Sequence, residues 1–258
     1  MAMGEEIVVE AKDLTMGYEG RIVMQDLNFQ IKRGEVFVIL GGSGCGKSTL
    51  LKHLIGLYAP MSGQSFIKGQ CIQEDDNDKK REIMKQFGVL YQSGALFGSL
   101  TLEENVSLVL EEHSDLDKAG RKERINEKLA LVDLEGFNDY FPSEISGGMK
   151  KRAGLARAMA LDPDLLFFDE PSAGLDPVSA ANLDRLILRL RDEIGATIVI
   201  VTHELDSIFS IADKVIFLDK ESKRMIASGH PEDLRQNCEH EWVRKFLERD
   251  GMMRKENA

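Results

Sequence analysis

Two hydrophobic rhythms divide the chain. Over the first 35 residues, short β-rich runs (EIVVEA, NFQIK) alternate apolar with polar positions, and turn residues stand at GYEGR and KRGE. Alternation buries one face of a strand and wets the other, which predicts an antiparallel N-terminal layer. From EVFVILG onward the rhythm changes to unbroken apolar runs followed by helical spacing: VFVIL, FGVLY, LLFFDE, TIVIVTH and KVIFLD. A strand that is apolar at every position must be covered on both faces, so these runs predict a parallel sheet clothed by helices.

Between FGVLY and LLFFDE the apolar positions fall at helical spacing. TLEENVSLVLEEH opens with Thr101 and Glu104, the residue pair of a capping box, and DKAGRKERINEKLALV continues as a charged amphipathic helix whose charges are read mainly as a solvated face. This block reads as a helical insertion into the α/β core. After KVIFLD come a hairpin (DKESKRMIASG), a short acidic helix and a last helix around EWVRKFLER, in which Trp242 is read as a packing residue.

Composition narrows the class. With 258 residues, 43% hydrophobic and 30% charged, the chain has enough apolar material for a large buried core. Asp and Glu outnumber Lys and Arg by 44 to 33, and a formal charge of -11 argues against nucleic acid as a partner. The apolar runs are far shorter than the roughly 20 residues that cross a bilayer, and the N-terminus lacks a signal-peptide pattern, so a cytoplasmic chain is expected. Cys45, Cys71 and Cys238 are too scattered for a disulfide framework or zinc site and are read as free thiols.

The first chemistry lies after VFVIL. GGSGCGKS fits the pattern GxxxxGK[ST] and sits between a predicted strand and a predicted helix, the context a phosphate-binding loop needs. In such a loop the backbone N–H groups of Gly41, Gly42, Ser43, Gly44, Cys45 and Gly46 converge on phosphate oxygens, Lys47 neutralises the outer phosphates, and Ser48 offers its hydroxyl to Mg²⁺. The ligand implied is a nucleoside triphosphate, and the fold class is α/β: a P-loop NTPase (RecA-like) core with an antiparallel β layer and an inserted helical subdomain. LLFFDEP supplies the partner carboxylates. Asp169 is expected in the Mg²⁺ shell, and Glu170 is expected to polarise the attacking water. TIVIVTH delivers His203 to the same sheet edge, whereas His53, His113, His230 and His240 are read as structural. A second glycine turn, SEISGGMKKR, opens a helix, and its exposed N–H groups and positive dipole end suit an anion as well.

Taken together, these motifs resemble the ATP-binding cassette family in order, type and spacing over nearly the whole chain. The likeness is carried by GYEGR, the P-loop, LYQSG, ISGGM, LLFFDE, AGLDP and VTHE. In that family nucleotide is held between two subunits arranged head to tail, so the resemblance implies a second copy of the chain and explains why one protein has two phosphate turns. It further implies that Tyr18 stacks on adenine, Thr49 assists at the α-phosphate, and Gln92 touches Mg²⁺ or the attacking water. Ser146, Gly147 and Gly148 are implied to grip the γ-phosphate of the opposite subunit's ATP, His203 to hold the γ-phosphate of its own, and Asp176 to bridge the subunits. Where the usual signature reads LSGGQ, Ile145 and Met149 stand here, and Met149 lacks the amide donors of glutamine.

LYQSGALFGSLTLEENV, the methionine in the signature and DEPSAGLDPVSA resemble the ATPases of bacterial MCE-type, Mla-like phospholipid transport systems. That resemblance implies a membrane permease, a periplasmic MCE lipid-binding protein, a STAS-type protein alongside, and a peripheral location on the cytoplasmic face of the inner membrane. The expected permease surface is Ser93 to Leu110, with Phe97, Leu100 and Leu108. The expected division is 1–92 (β layer and first part of the core), 93–160 (helical subdomain with signature), 161–235 (rest of the core) and 236–258 (helical tail). The rival readings are a soluble cassette ATPase of cofactor assembly or repair, an ATPase for another transporter cargo, and a regulator that binds ATP without hydrolysis, against which Glu170 argues.

Overall fold

The computed structural model describes residues 6–18, 20–73 and 76–255. Glu19, in the first expected turn, and the tail beyond Lys255 lie outside the described residues. β1 (Ile7–Tyr18) and β2 (Arg21–Lys32) form the expected antiparallel hairpin, with Leu14, Met16, Met24, Leu27 and Ile31 fully buried on one side. The register shifts between Ala11 and Leu14, where Asp13 has φ 47°, and Asn28 Oδ1 accepts from Asp13 N at 2.9 Å. The bulge therefore leaves no orphan donor at that residue.

The chain then enters a second sheet through β3 (Val36–Gly41) and turns into α1 (Lys47–Leu54). β4 (Ser62–Ile67) and β5 (Gln70–Cys71) return to the first sheet, which is ordered β2-β1-β4-β5. After α2 (Asn77–Met84) comes β6 (Phe87–Leu90), and then a helical block of α3 (Leu102–His113), α4 (Lys118–Leu131) and α5 (Gly147–Ala158). β7 (Leu165–Asp169), α6 (Pro177–Ile194), β8 (Thr197–Val201), α7 (Leu205–Ile211) and β9 (Lys214–Asp219) complete the core. β10 (Arg224–Gly229), α8 (Pro231–Asn237) and α9 (Glu241–Lys255) end it.

The second sheet is ordered β10-β9-β3-β8-β7-β6, and every neighbouring pair from β9 to β6 is parallel. The apolar runs are explained by two cores, one on each face. Val38, Leu40, Leu166, Phe168, Ile198, Ile200 and Phe217 pack with the helices, while Phe37, Ile39, Phe167, Val199, Val201 and Leu218 pack with α1 and the antiparallel layer. Period-two alternation sends successive residues to opposite faces, so each strand serves both. Each fully buried Phe or Leu contributes about 1.5–3 kcal/mol through burial. At Phe37 and Phe167 ring packing adds to that, with centroids 5.5 Å from Phe29 and 5.3 Å from Phe87.

In the helical block the capping box forms: Thr101 N donates to Glu104 Oε2 at 2.7 Å, and Glu104 N to Thr101 Oγ1 at 3.2 Å. Buried Asn105 donates to the carbonyls of Phe97, Leu100 and Thr101 and accepts from Phe97 N, fastening the 97–101 loop to α3. Lys128 on α4 departs from the expected solvated face. It is 3% exposed and is paired with Glu127 at 2.7 Å and with Asp162. Among the described residues no helix is long and apolar enough to cross a membrane.

Candidate active site

Parallel strands point their carboxyl ends the same way, so β3, β8, β7 and β6, adjacent in the sheet, discharge their following residues at one edge. That edge receives the P-loop after β3, Thr202 and His203 after β8, Asp169 and Glu170 at the end of β7, and Gln92 after β6. A cleft of about 840 Å³ opens there, lined by the loop residues Gly41 to Gly44 and Gly46 to Thr49 with Tyr18, Gln92, Glu170 and His203.

Two glycines make the loop sterically feasible. Gly46, which precedes α1, has φ 105°, and a Cβ on it would stand 2.6 Å from Val23 Cγ1; one on Gly41 would stand 2.5 Å from the Leu218 carbonyl oxygen. The loop therefore lies against the Val23 side chain of β2 and the backbone of β9, where a side chain would be strained. Lys47 Nζ donates to the carbonyls of Gly41 at 3.0 Å and Gly42 at 3.3 Å, which holds the ammonium across the mouth of the loop. Cys45 is buried under the loop, and burial pushes its thiol pKa up, so it is an unreactive packing residue. Cys71 and Cys238 are also free.

Ser48 Oγ donates to Asp169 Oδ1 at 2.7 Å, joining α1 to the end of β7. Next to it Glu170 has φ 50° and is held by its N–H to the Val201 carbonyl at 2.8 Å. Its carboxylate meets His203 Nδ1, which lies 3.0 Å from Oε1 and 2.9 Å from Oε2; Oε2 is buried and has no hydrogen bond of its own. A carboxylate that lines this cleft and is paired with an imidazole is chemically suited to take a proton from water. Tyr18 is 45% exposed at the rim. Its hydroxyl lies 2.8 Å from Thr49 Oγ1 and its ring meets Tyr58 edge-on at 5.8 Å, so an aromatic face stands fixed beside the loop.

The second glycine turn lies elsewhere. Ser146 caps α5, its Oγ accepting from Met149 N at 3.3 Å, and with Gly148 it lines a shallow depression of about 60 Å³ beside Leu175 and Ser179. Asp176 lies next to this patch and caps α6, accepting from Val178 N and Ser179 N at 3.0 Å and from Ser179 Oγ at 2.5 Å; the Ser179 bond leads in holding its carboxyl below the usual range. Met149 turns its side chain partly into the helical core. None of Ser146, Gly147, Gly148 and Asp176 lines the P-loop cleft.

Two features went unread in the sequence. Trp242 and Phe246 of α9 pack edge-on against Phe217 at 6.0 and 5.4 Å, as packing residues do, and they also form one wall of the cleft. Lys151, six residues after Ile145 in a basic stretch that reads as surface, is buried behind the site. Its only sequence signal was a lysine at helical spacing among apolar positions of α5.

Fold and site together define a nucleotide-hydrolysing P-loop ATPase. The family model described as ABC transporter matches residues 24–173. A probable ribonucleotide transport ATP-binding protein, mkl of Mycobacterium leprae, is 42% identical over 96% of this chain and 70% of its own length, and the chain spans about two thirds of the length of the mycobacterial relatives it matches. The intermembrane phospholipid transport system ATP-binding protein MlaF of Haemophilus influenzae is 39% identical over 96% of this chain and 93% of its own. Among solved structures, a dimeric post-hydrolysis state of the ATP-binding cassette MJ0796, bound to ADP and Pi, superimposes with a TM-score of 0.78 at 29% identity, covering 86% of this chain and 98% of that one. The chain belongs to the ABC transporter family. Its ligand is ATP, and it is an ATPase.

Proposed function

We propose that this chain is the motor of a phospholipid transporter: two copies, head to tail, hydrolyse ATP beneath a membrane permease on the cytoplasmic face of the inner membrane. The observation that carries the dimeric reading is the separation of the two phosphate-binding turns. Lys47, Ser48 and Glu170 line one cleft, with Asp169 bonded to Ser48 at its edge, while Ser146, Gly147 and Gly148 stand at least partly exposed on another part of the same chain. A second copy turned by a twofold axis brings its signature turn to this cleft. The dimeric relative bound to ADP and Pi supports that arrangement.

In this reading Lys47 leaves the loop carbonyls for the β- and γ-phosphates, the glycine turn donates its N–H groups, and Tyr18 presents its ring to adenine, with Thr49 at the α-phosphate. The donors around Ser48 and Asp169 are a hydroxyl and a carboxylate already 2.7 Å apart, and Gln92 lines the same cleft, a hard-oxygen set that fits Mg²⁺. Bound there with nucleotide, Mg²⁺ would neutralise charge between the phosphates. Glu170 accepts the proton of the attacking water, and His203, on the same carboxylate, orients it and reaches the γ-phosphate. Asp176, beside the signature turn, bridges to the partner.

The cargo follows from the likeness to MlaF, which the chain matches over nearly its full length, and from QSGALF and the signature methionine. The permease is proposed to seat on the 93–110 segment, where Phe97 is 57% and Leu108 39% exposed while Leu100 is half-buried. A groove of about 820 Å³, lined by Gln70, Arg81, Lys85, Glu112 and His113, lies at the far end of α3. A periplasmic MCE lipid-binding protein and a STAS-type protein complete the proposed assembly. The test is Glu170→Gln: ATP binding persists, turnover falls about 10²- to 10⁴-fold, and the chain elutes with ATP at twice its monomer mass. Normal turnover in that variant assigns the base elsewhere.

A further inference from the structure

Helix α5 starts at the signature turn and touches the P-loop cleft from behind before it ends. Lys151, on its second turn, is 6% exposed, and its ammonium donates to the main-chain carbonyl of Gln92 and, at 3.3 Å, to that of Glu170. Farther along, a Cβ on Gly154 would stand 2.8 Å from the Gly94 carbonyl oxygen, so helix and turn meet backbone to backbone. Arg157 then donates to the carbonyls of Ala95 at 2.8 Å and Gly94 at 3.3 Å. The 92–95 turn is thus fastened to α5 at three points. Lys151 alone among these contacts also reaches Glu170.

Both turns are in conformations that need outside support. Ala95 has φ 49° and Glu170 φ 50°, a region disfavoured for residues with a Cβ. These two Lys151 bonds go to main-chain carbonyls, and burial leads in pulling its pKa down while the Glu170 and Asp169 carboxylates oppose it. A buried ammonium placed on two carbonyls of the reacting edge secures geometry at a cost in desolvation.

We propose that Lys151 is a positioning residue that couples the two ATP sites of the dimer. The proposal rests on the head-to-tail reading above. One rigid helix carries Ser146, Gly147 and Gly148 at its first turn, against the opposing nucleotide, and Lys151 about 7 Å along its axis, against the backbone of Gln92 and Glu170 in its own site. When the signature turn closes on one ATP, α5 carries both carbonyls with it and sets the Glu170 carboxylate that takes the proton of the water attacking the other. Each site therefore reports its occupancy to its neighbour within a single chain, through a helix that both sites bias.

The experiment titrates ATP against hydrolysis for the full chain in its membrane assembly, comparing wild type with Lys151→Met, Lys151→Arg and Gly147→Asp. Lys151→Met is expected to keep the ATP KM within about twofold, lower kcat about 10- to 100-fold, and bring the Hill coefficient toward 1, with Lys151→Arg recovering both parameters. Should Lys151→Met not fold, Lys151→Gln takes its place. Its amide is one bond shorter and uncharged, and a several-fold lower kcat at unchanged KM is expected. Wild-type kcat and cooperativity, a change in KM alone, a lower kcat with the Hill coefficient retained, or an arginine variant as impaired as the methionine one each overturn the proposal. Gly147→Asp separates the two failures. If it too leaves rate and cooperativity intact, the shared site fails; if it abolishes hydrolysis while Lys151→Met is normal, only the coupling fails.

Discussion

The two glycine turns of this chain are built on opposite plans. The P-loop is bound into the fold on every side: Gly41 lies against the β9 backbone, Gly46 against Val23, Lys47 spans the loop carbonyls, and Ser48 is bonded to Asp169. The signature turn is a helix start with little behind it. Ser146 caps its own helix, a Cβ on Gly147 would meet nothing within 4 Å, and the depression beside it holds about 60 Å³. One turn is held complete within a single chain, and the other is open, as the proposed head-to-tail dimer requires. Substitutions should therefore act on stability and binding at the first, and on turnover at the second.

The largest expected effect on nucleotide binding is at Lys47. Lys47→Ala removes the cation bonded across the loop and should weaken ATP binding by about 2–5 kcal/mol, about thirtyfold or more in Kd by calorimetry. Unchanged affinity would place the phosphates elsewhere. Gly46→Ala sharpens the comparison on the stability side. With φ 105° and a 2.6 Å approach to Val23 it should cost about 1–3 kcal/mol and lower Tm by several degrees in a thermal melt, whereas an alanine at Gly147 should leave Tm within about one degree. Equal shifts at both glycines would erase the distinction drawn here. The smallest effect is at the rim. Tyr18→Phe loses the bond to Thr49 but keeps the ring, and should cost about 0.5 kcal/mol in stability with ATP affinity within about twofold.

How much of this was legible in the sequence follows the same division. The five apolar runs became β3, β6, β7, β8 and β9 because a strand covered on both faces cannot be mistaken for a surface element, and the P-loop, Asp169, Glu170 and His203 met because parallel strands share one carboxyl edge. β4, β5 and α2 were not legible. SGQSFI and NDKKREIM carry few apolar residues, and their places are decided by pairing with β1 and by the Asp76 cap, which accepts from Asp78 N at 2.9 Å. Lys151 was hidden for a different reason. A lysine between Lys150 and Arg152 reads as solvated, and only the tertiary approach of the 92–95 turn to Gly154 makes its position an interior one. Trp242 likewise reads as tail packing, which it is, and its second contact with the cleft depends on where α9 lands.

The central claim is that a single chain holds only half of each catalytic site, and Gly147→Asp tests it most directly. The side chain has open space in its own chain, and an acidic residue in the first turn of α5 suits the helix dipole, so folding and P-loop affinity should be preserved. A carboxylate there would nonetheless face the γ-phosphate of the partner's ATP. With the substitution in both copies of the full assembly, ATP hydrolysis should fall at least about a hundredfold while ATP binding to the isolated chain is unchanged. Hydrolysis at the wild-type rate would contradict the account.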